Sequence, residues 1–137
     1  MHTALQLAQV IEEVVPRRGQ RIHPATRTFQ AIRIAVNAEL ETLKSALEQA
    51  VRVLERGGRL VVVAYHSLED RLVKSFMRRE ARDCICPPEQ PQCTCEHSAS
   101  VRILTRKVVR PSVQEVRENP RVRSAKLRAC ATLGSPG

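Results

Sequence analysis

Five side chains that can donate, accept or hold a proton follow directly after an apolar run. The run is LVVVAY at residues 60–65, and the side chains are those of His66, Ser67, Glu69, Asp70 and Arg71. A histidine with neighbouring carboxylates can act as a general base near neutral pH. The alternative is structural, because Ser67 and Asp70 have the spacing of a capping box and Glu69 can pair with Arg71. The pattern therefore marks candidate site residues and assigns none of them a catalytic role.

A second group that can do chemistry lies in the proline-rich segment 83–100. Its spacing is Cys84-x-Cys86-x6-Cys93-x-Cys95, and His97 follows closely. Four thiolates can complete a tetrahedral zinc site, and zinc would order the loop. Against zinc, each cysteine pair is one residue tighter than the common C-x2-C spacing, so a reduced, metal-free loop stays open as the alternative. The fifth cysteine, Cys130, falls in an apolar segment and is expected to be packed.

The apolar run is too short for an independent helix and suits a strand that is buried on both faces. Such strands are typical of the centre of a parallel α/β sheet. In these sheets the ligand crevice lies beyond the carboxyl ends of the strands, where the polar cluster at residues 66–71 follows. Gly57 and Gly58 mark the turn that precedes the strand.

Apolar spacing and caps predict the remaining elements. The first helix follows a capping box of Thr3 and Gln6 and ends at Pro16, before a basic loop at residues 17–21. Further helices are predicted from Pro24 onward, over residues 39–56, from Ser67 to about residue 82, and after Ser112 with Glu115. Strands are predicted over residues 101–109 and 121–132, the latter near a sheet edge with Lys126 and Arg128 on one face.

Charge is concentrated at one end of the chain. Residues 1–100 carry 14 basic and 12 acidic side chains, a net of +2, whereas residues 101–137 carry 9 and 2, a net of +7. This asymmetry favours a phosphate-rich partner, nucleic acid before membrane, with a solvated basic face as the alternative. The near absence of aromatic residues argues against a base-stacking platform. No secretory signal or membrane-length apolar run is present, so a soluble, intracellular protein with reduced cysteines is expected.

Three blocks of the sequence resemble a known family. They are RIHPATRTFQAIRIAVNAEL at 21–40, GGRLVVVAYHSLEDRLVKSF at 57–76 and ENPRVRSAKLRA at 118–129. They are similar, in order and spacing, to blocks of the bacterial ribosomal RNA small subunit methyltransferase H (MraW) family. The resemblance implies an α/β fold: the C-terminal part of a class I (Rossmann-like) methyltransferase sheet, plus the end of a helical insertion domain. On this interpretation residues 1–38 end the insertion, residues 39–133 belong to the methyltransferase domain, and residues 134–137 are a tail.

The same resemblance implies S-adenosylmethionine-dependent methylation of the N4 of a cytidine in the decoding region of 16S rRNA. The glycine-rich cofactor loop of the family is expected upstream of Met1, so no cofactor-binding residue is assigned here and the isolated chain is expected to be inactive. The cluster at residues 66–71 would line the target-base side of the crevice. Candidate RNA contacts are Arg27, Asn37, Arg121, Arg123, Lys126 and Arg128.

The expected partner is 16S rRNA in the small ribosomal subunit, in the cytoplasm, with neither DNA nor a membrane as partner. Two other functions stay open from the sequence. One is a non-catalytic RNA-binding or ribosome-associated module, which would need the basic residues and no cofactor site. The other is a small zinc-binding module, which rests on the cysteine loop alone.

Overall fold

The structure is a computed structural model that describes residues 3–15 and 22–134. Its elements in chain order are α1 (Ala4–Val14), α2 (Ala25–Val36), α3 (Glu39–Val53), β1 (Arg59–Ala64), α4 (Ser67–Glu80), β2 (Val101–Ile103), α5 (Val113–Glu118), a 3-10 helix (Pro120–Ser124) and β3 (Lys126–Thr132). The predicted helix stop at Pro16, the basic loop at 17–21 and residues 135–137 of the predicted tail lie outside the described residues. The chain divides into two compact units, Met1–Glu39 and Leu40–Gly137.

The first unit contains α1 and α2. The predicted capping box of Thr3 and Gln6 is confirmed, because each side chain accepts the backbone N–H of the other residue at 3.3 Å. At the start of α2, Nδ1 of His23 accepts the N–H of Ala25 at 3.2 Å, and its Nε2 lies 3.4 Å from Glu12 of α1. The assignment of this unit to the end of a helical insertion stays a prediction.

The second unit is built on a three-stranded sheet in the order β1–β3–β2. Strand β3 is antiparallel to both neighbours, so β1 and β2 run parallel to each other on either side of it. The prediction that residues 121–132 form a strand near a sheet edge is therefore wrong in two respects. The strand begins only at Lys126, after the 3-10 helix, and it occupies the centre of the sheet, where its last four residues are buried.

Strand β1 forms where the apolar run predicts it, but its burial differs from the prediction. Leu60 and Val62 pack against the core, whereas Val61 and Val63 on the opposite face are 54% and 48% exposed. In the described part of the chain β1 pairs with β3 alone, in antiparallel orientation. The predicted burial on both faces is thus wrong for Val61 and Val63, and the predicted parallel neighbours of β1 are not found among the described residues.

Strand β2 is much shorter than the predicted strand over residues 101–109. After Ile103 the backbone N–H groups of Leu104 and Thr105 both donate to the carbonyl of Ala129, at 2.9 and 3.2 Å. The hydroxyl of Thr105 in turn accepts the N–H of Ala129 at 2.8 Å, in the place of a backbone carbonyl. The side chain interrupts the ladder, which resumes only as a single bridge between Val109 and Leu127.

The helices α3 and α4 supply the second layer of an α/β arrangement. One cluster of buried side chains joins α3, α4, β2 and β3; its members are Leu47, Val73, Met77, Val101 and Cys130. The predicted packing of Cys130 is confirmed, since its side chain is fully buried and this burial raises the pKa of the thiol. The mixed α/β class is likewise confirmed. None of the helices in the described ranges has the length and apolarity needed to cross a bilayer.

The end of β3 is fixed to the turn before β1. Helix α3 ends at Val53, three residues earlier than predicted, and the N–H of Gly58 donates to the carbonyl of Glu55. Gly57 has a φ of +82°, a conformation that favours glycine. Its N–H donates to the carbonyl of Thr132 at 2.8 Å, and the buried Thr132 hydroxyl donates to the carbonyl of Glu55. Because of this turn, α3 stops and the chain enters the sheet beside β3.

Truncation of the core at α3 tests this packing. We expect Leu47→Ala to lower the free energy of unfolding by about 2–5 kcal/mol, because Leu47 is 2% exposed and its loss leaves a cavity. Urea unfolding of the two proteins followed by circular dichroism measures the difference. The control is Leu104→Ala, since Leu104 is 43% exposed and its truncation should cost far less. Equal costs at the two positions would contradict the assigned core.

Candidate functional site

The polar cluster after β1 forms the first turn of α4. His66 is the N-cap, and its Nδ1 accepts the N–H of Glu69 at 3.3 Å. One carboxylate oxygen of Glu69 accepts the N–H groups of Tyr65 and His66, at 3.0 and 3.3 Å. The predicted capping box of Ser67 and Asp70 is therefore wrong by one residue. Sequence reasoning chose serine because hydroxyl side chains are the usual caps, but here an imidazole nitrogen has that role.

This cap limits what His66 can do chemically. Because Nδ1 accepts a hydrogen bond, a neutral ring carries its proton on Nε2. Nε2 lies 3.3 Å from the carboxylate of Glu69, and the side chain is only 9% exposed. The geometry supports a role for His66 and Glu69 in holding the junction between β1 and α4. The general-base role of His66 stays a hypothesis that this arrangement does not favour.

Asp70 connects α4 to the central strand. Its two carboxylate oxygens accept hydrogen bonds from Nε and a terminal nitrogen of Arg128, at 2.7 and 3.3 Å. Nζ of Lys126 lies 3.7 Å away. The hydrogen bonds and charge of Arg128, with the charge of Lys126, hold the pKa of Asp70 below its ordinary value although burial opposes this shift. The predicted placement of Lys126 and Arg128 on one face is confirmed, and that face turns toward α4.

Ser67 and Arg71 complete the predicted cluster, and both are exposed. The turn thus brings all five predicted residues together at the carboxyl end of β1. The five residues fall into two groups, according to whether their side chains contact other residues or solvent. His66, Glu69 and Asp70 hold the local structure through their side chains, whereas the side chains of Ser67 and Arg71 are open to solvent.

The other predicted RNA contacts lie in separate places. Arg121 and Arg123 are exposed on the 3-10 helix, which is capped by Asn119 through a 3.2 Å hydrogen bond from the N–H of Arg121. In the first unit Arg27 is exposed on α2. Asn37 ends the same helix, and its side-chain amide donates to Glu39 at 3.3 Å.

A basic groove that sequence reasoning missed lies in the second unit. It has a volume of about 620 Å³, and its apolar lining residues include Met77 and Ile103. The cations that line it are Lys74, Arg78, Arg102, Arg106 and Arg128. Among the described residues that line this groove there is no acidic side chain. Only Arg128 was predicted, because the others come from α4 and the segment 102–106, which lie far apart in sequence.

The four cysteines of the loop between α4 and β2 are brought together. Their sulfur atoms all lie within 4.8 Å of one another. The N–H groups of Ile85 and His97 lower the pKa of Cys95 to about 6. The N–H of Cys86 also lowers the pKa of Cys84, but the thiols of Cys93, Cys86 and Cys95, together with desolvation, raise it by more, to about 12.

The Asp70–Arg128 pair gives a prediction for stability against pH. Since the pKa of Asp70 is lowered in the folded chain, the pair stabilises the fold at neutral pH and this contribution is lost as the pH falls through the lowered pKa. We expect Asp70→Asn to reduce the free energy of unfolding by about 1–3 kcal/mol at pH 7. The difference from the unsubstituted chain should shrink as the pH falls below the ordinary value of 3.8.

Urea unfolding between pH 7 and the acid range measures this difference. The matched control is Glu41→Gln on the exposed side of α3, which should leave stability nearly unchanged. An Asp70→Asn effect that kept its full size in acid would contradict the assignment of the stabilisation to this ion pair.

Comparison with known proteins identifies relatives along nearly the whole chain. The model of the MraW methylase family matches residues 1–133. A protein of Dehalococcoides mccartyi, named Ribosomal RNA small subunit methyltransferase H, is 56% identical over 135 residues, which cover 98% of this chain and 39% of that protein.

Proteins of the same name show similar coverage in other organisms. That of Thermomicrobium roseum is 56% identical over 137 residues, covering 100% of this chain and 42% of its own length. The protein of Geobacter sulfurreducens is 54% identical over 131 residues, which cover 94% of this chain and 42% of that protein. The chain spans about two fifths of the length of these curated relatives. From the match over residues 1–133, the chain belongs to the MraW methylase family.

Proposed function

We propose that this chain serves as the C-terminal part of an S-adenosylmethionine-dependent methyltransferase that methylates the N4 of a cytidine in the decoding region of 16S rRNA. The observation that carries the proposal is the family match over residues 1–133, with relatives named Ribosomal RNA small subunit methyltransferase H at 56% identity. Those names give rRNA as the substrate of the relatives. The methyl donor and the accepting base come from the family resemblance of the sequence.

The topology of the second unit supports a place at the end of a Rossmann-like sheet. The chain passes from β1 through α4 to β2, and β1 and β2 run parallel to each other. This is the βαβ crossover of α/β folds. The antiparallel insertion of β3 between them fits the antiparallel pair expected where a class I methyltransferase sheet ends. We accordingly assign residues 39–133 to the methyltransferase domain and residues 1–38 to a helical insertion.

The residues of this chain do not fit a complete cofactor site. The sequence has five glycines and no glycine-rich phosphate or cofactor loop. Gly57 and Gly58 are used in the turn between α3 and β1. We therefore assign no residue here to S-adenosylmethionine and expect the 137-residue chain alone to be inactive.

We assign the rRNA contact in the second unit to the basic groove and the exposed cations of the 3-10 helix. Phosphate contacts from lysine and arginine dominate the affinity of nucleic-acid binding. Five cations line the groove, and none of its described lining residues is acidic, although Arg128 is paired with Asp70 behind it. Arg121 and Arg123 are exposed on the 3-10 helix, a few residues before Arg128. Lys126 and Arg128 contribute less to RNA binding in this proposal, because both are held beside Asp70. Arg27 and Asn37 stay candidate contacts of the first unit.

We place the first turn of α4 on the target-base side of the crevice. Ser67 and Arg71 are the side chains that can reach RNA there, since both are exposed. His66, Glu69 and Asp70 act as positioning residues, because their hydrogen bonds hold the turn and connect it to β3.

A second candidate function is a non-catalytic RNA-binding or ribosome-associated module. The basic groove favours it as well, and so does the lack of a cofactor loop in the sequence. The two functions differ in one consequence. A methyltransferase leaves a methyl group on the small-subunit RNA, whereas a binding module leaves the RNA chemically unchanged.

Interruption of the gene tests the proposed function. We expect 16S rRNA from the interrupted strain to lack one methyl group at a cytidine of the decoding region, with the group restored when the gene is returned. Mass spectrometry of nuclease fragments of the rRNA measures this change. A decoding region that keeps every methyl group would overturn the methyltransferase proposal. If the native protein still copurified with small subunits, the binding module would replace it.

Charge removal tests the proposed RNA surface. We expect the double variant Arg78→Ala with Arg106→Ala to weaken binding of a 16S rRNA fragment at least about tenfold at low salt and to reduce the salt slope by about 1–2, because two phosphate contacts are lost. Arg121→Ala with Arg123→Ala should act in the same direction. Filter binding over a series of salt concentrations measures both quantities.

The matched control is Arg52→Ala with Arg59→Ala. It removes the same charge from exposed positions at the end of α3 and the start of β1, outside the groove and the 3-10 helix. We expect it to keep the salt slope of the unsubstituted chain. Equal losses in all the double variants would mean that net charge alone, with no defined surface, governs binding.

A further inference from the structure

The sulfur atoms of the cysteine loop already have the spacing of a single metal site. The four Sγ atoms all lie within 4.8 Å of one another, with 3.6 Å from Cys93 to Cys95 and 3.9 Å from Cys84 to Cys95. A tetrahedral zinc ion with Zn–S bonds of about 2.3 Å holds its sulfur ligands about 3.8 Å apart. The cluster therefore needs only small shifts to surround one ion.

The backbone around the cluster is arranged to stabilise thiolates. The N–H groups that donate to sulfur include those of Ile85 to Cys95 and Cys86 to Cys84, both at 3.4 Å, and of Thr94 to Cys86 at 3.5 Å. Metal binding by cysteine requires the thiolate form, and hydrogen bonds to the charged form favour it. All four cysteines are free, and their separations are well beyond a disulfide bond of about 2.0 Å.

The two ends of the cysteine loop are held by hydrogen bonds, whereas the residues between them have little packing to order them. The N–H of Ser100 donates to the carbonyl of Glu80 and its hydroxyl donates to the carboxylate of Glu80, both at 2.8 Å. Between these anchors the described residues form no helix or strand, and only Ala81, at the end of α4, packs against the buried core. Cross-linking by a metal ion orders such a segment where packing cannot.

We propose that the loop binds one Zn²⁺ through the sulfur atoms of Cys84, Cys86, Cys93 and Cys95. Binding replaces the remaining thiol protons, which pass to solvent, and closes a tetrahedral site with four protein ligands and no open position. Such closed sites are structural. His97 is outside the ligand set, because its Nε2 lies 3.2 Å from the carbonyl oxygen of Arg79. The ion ties together the loop that leads from α4 into β2.

Cobalt substitution in the reduced 137-residue chain tests the site directly. We expect one equivalent of Co²⁺ to give the sulfur-to-cobalt charge-transfer band and the intense d–d bands of a tetrahedral tetrathiolate complex, and one equivalent of Zn²⁺ to remove them. Apparent affinity should fall at least roughly tenfold between pH 7.5 and pH 6, because protons compete with the metal for sulfur. A reduced, folded chain that gives no such bands would overturn the proposal.

Cysteine variants assign the ligands. We expect Cys86→Ser to lose the tetrathiolate spectrum and to weaken zinc binding at least roughly tenfold, whereas His97→Asn should keep both. Cys130→Ala is the matched thiol control, since Cys130 is buried in the core and outside the cluster. Cys130→Ala can destabilise the core. If that variant does not fold, His97→Asn serves as the control instead. An unchanged spectrum in Cys86→Ser would overturn the assigned ligand set.

Discussion

Strand β3 lies between β1 and β2, and each strand–strand pairing of the described sheet involves it. This constraint joins parts of the chain that are distant in sequence. Residues after position 125 must return to complete the ladders of strands that begin at Arg59 and Val101. The cost in loop-closure entropy is offset by burial, since the last four residues of β3 are buried and Cys130 reaches the centre of the core. Without this insertion β1 and β2 have no common partner.

The ion pair between Asp70 and Arg128 attaches helix α4 to the same central strand. Helix α4 packs over the sheet through Val73 and Met77, and the pair fixes its first turn to the central strand. Asp70, whose residue type suggested a catalytic role, thereby holds α4 against β3. Arg128 also lines the basic groove, so the same residue stabilises the fold and faces the surface proposed to bind RNA.

The basic groove and the cysteine cluster share one segment of the fold. Both depend on the path of the chain from the end of α4 to β2, and Ala81 and Ala99, near the two ends of the cysteine loop, line the groove. Ordering of the loop by a metal would therefore also order one wall of the proposed RNA surface. A metal bound by the cysteine loop would therefore help to position the basic groove, which the few buried side chains of the core do not do alone.

The sequence by itself determined the local structure and the family. Apolar spacing and caps placed α1 to α5 and β1 within a few residues, and the alternation after position 125 put Lys126 and Arg128 on one face. These features depend on neighbours along the chain. Only the tertiary structure decided that β3 is central, that Thr105 interrupts β2, that Val61 and Val63 of β1 stay about half exposed and that five cations share a groove. Those outcomes depend on which distant segments meet, and pairing across long loops leaves no periodic trace in the sequence.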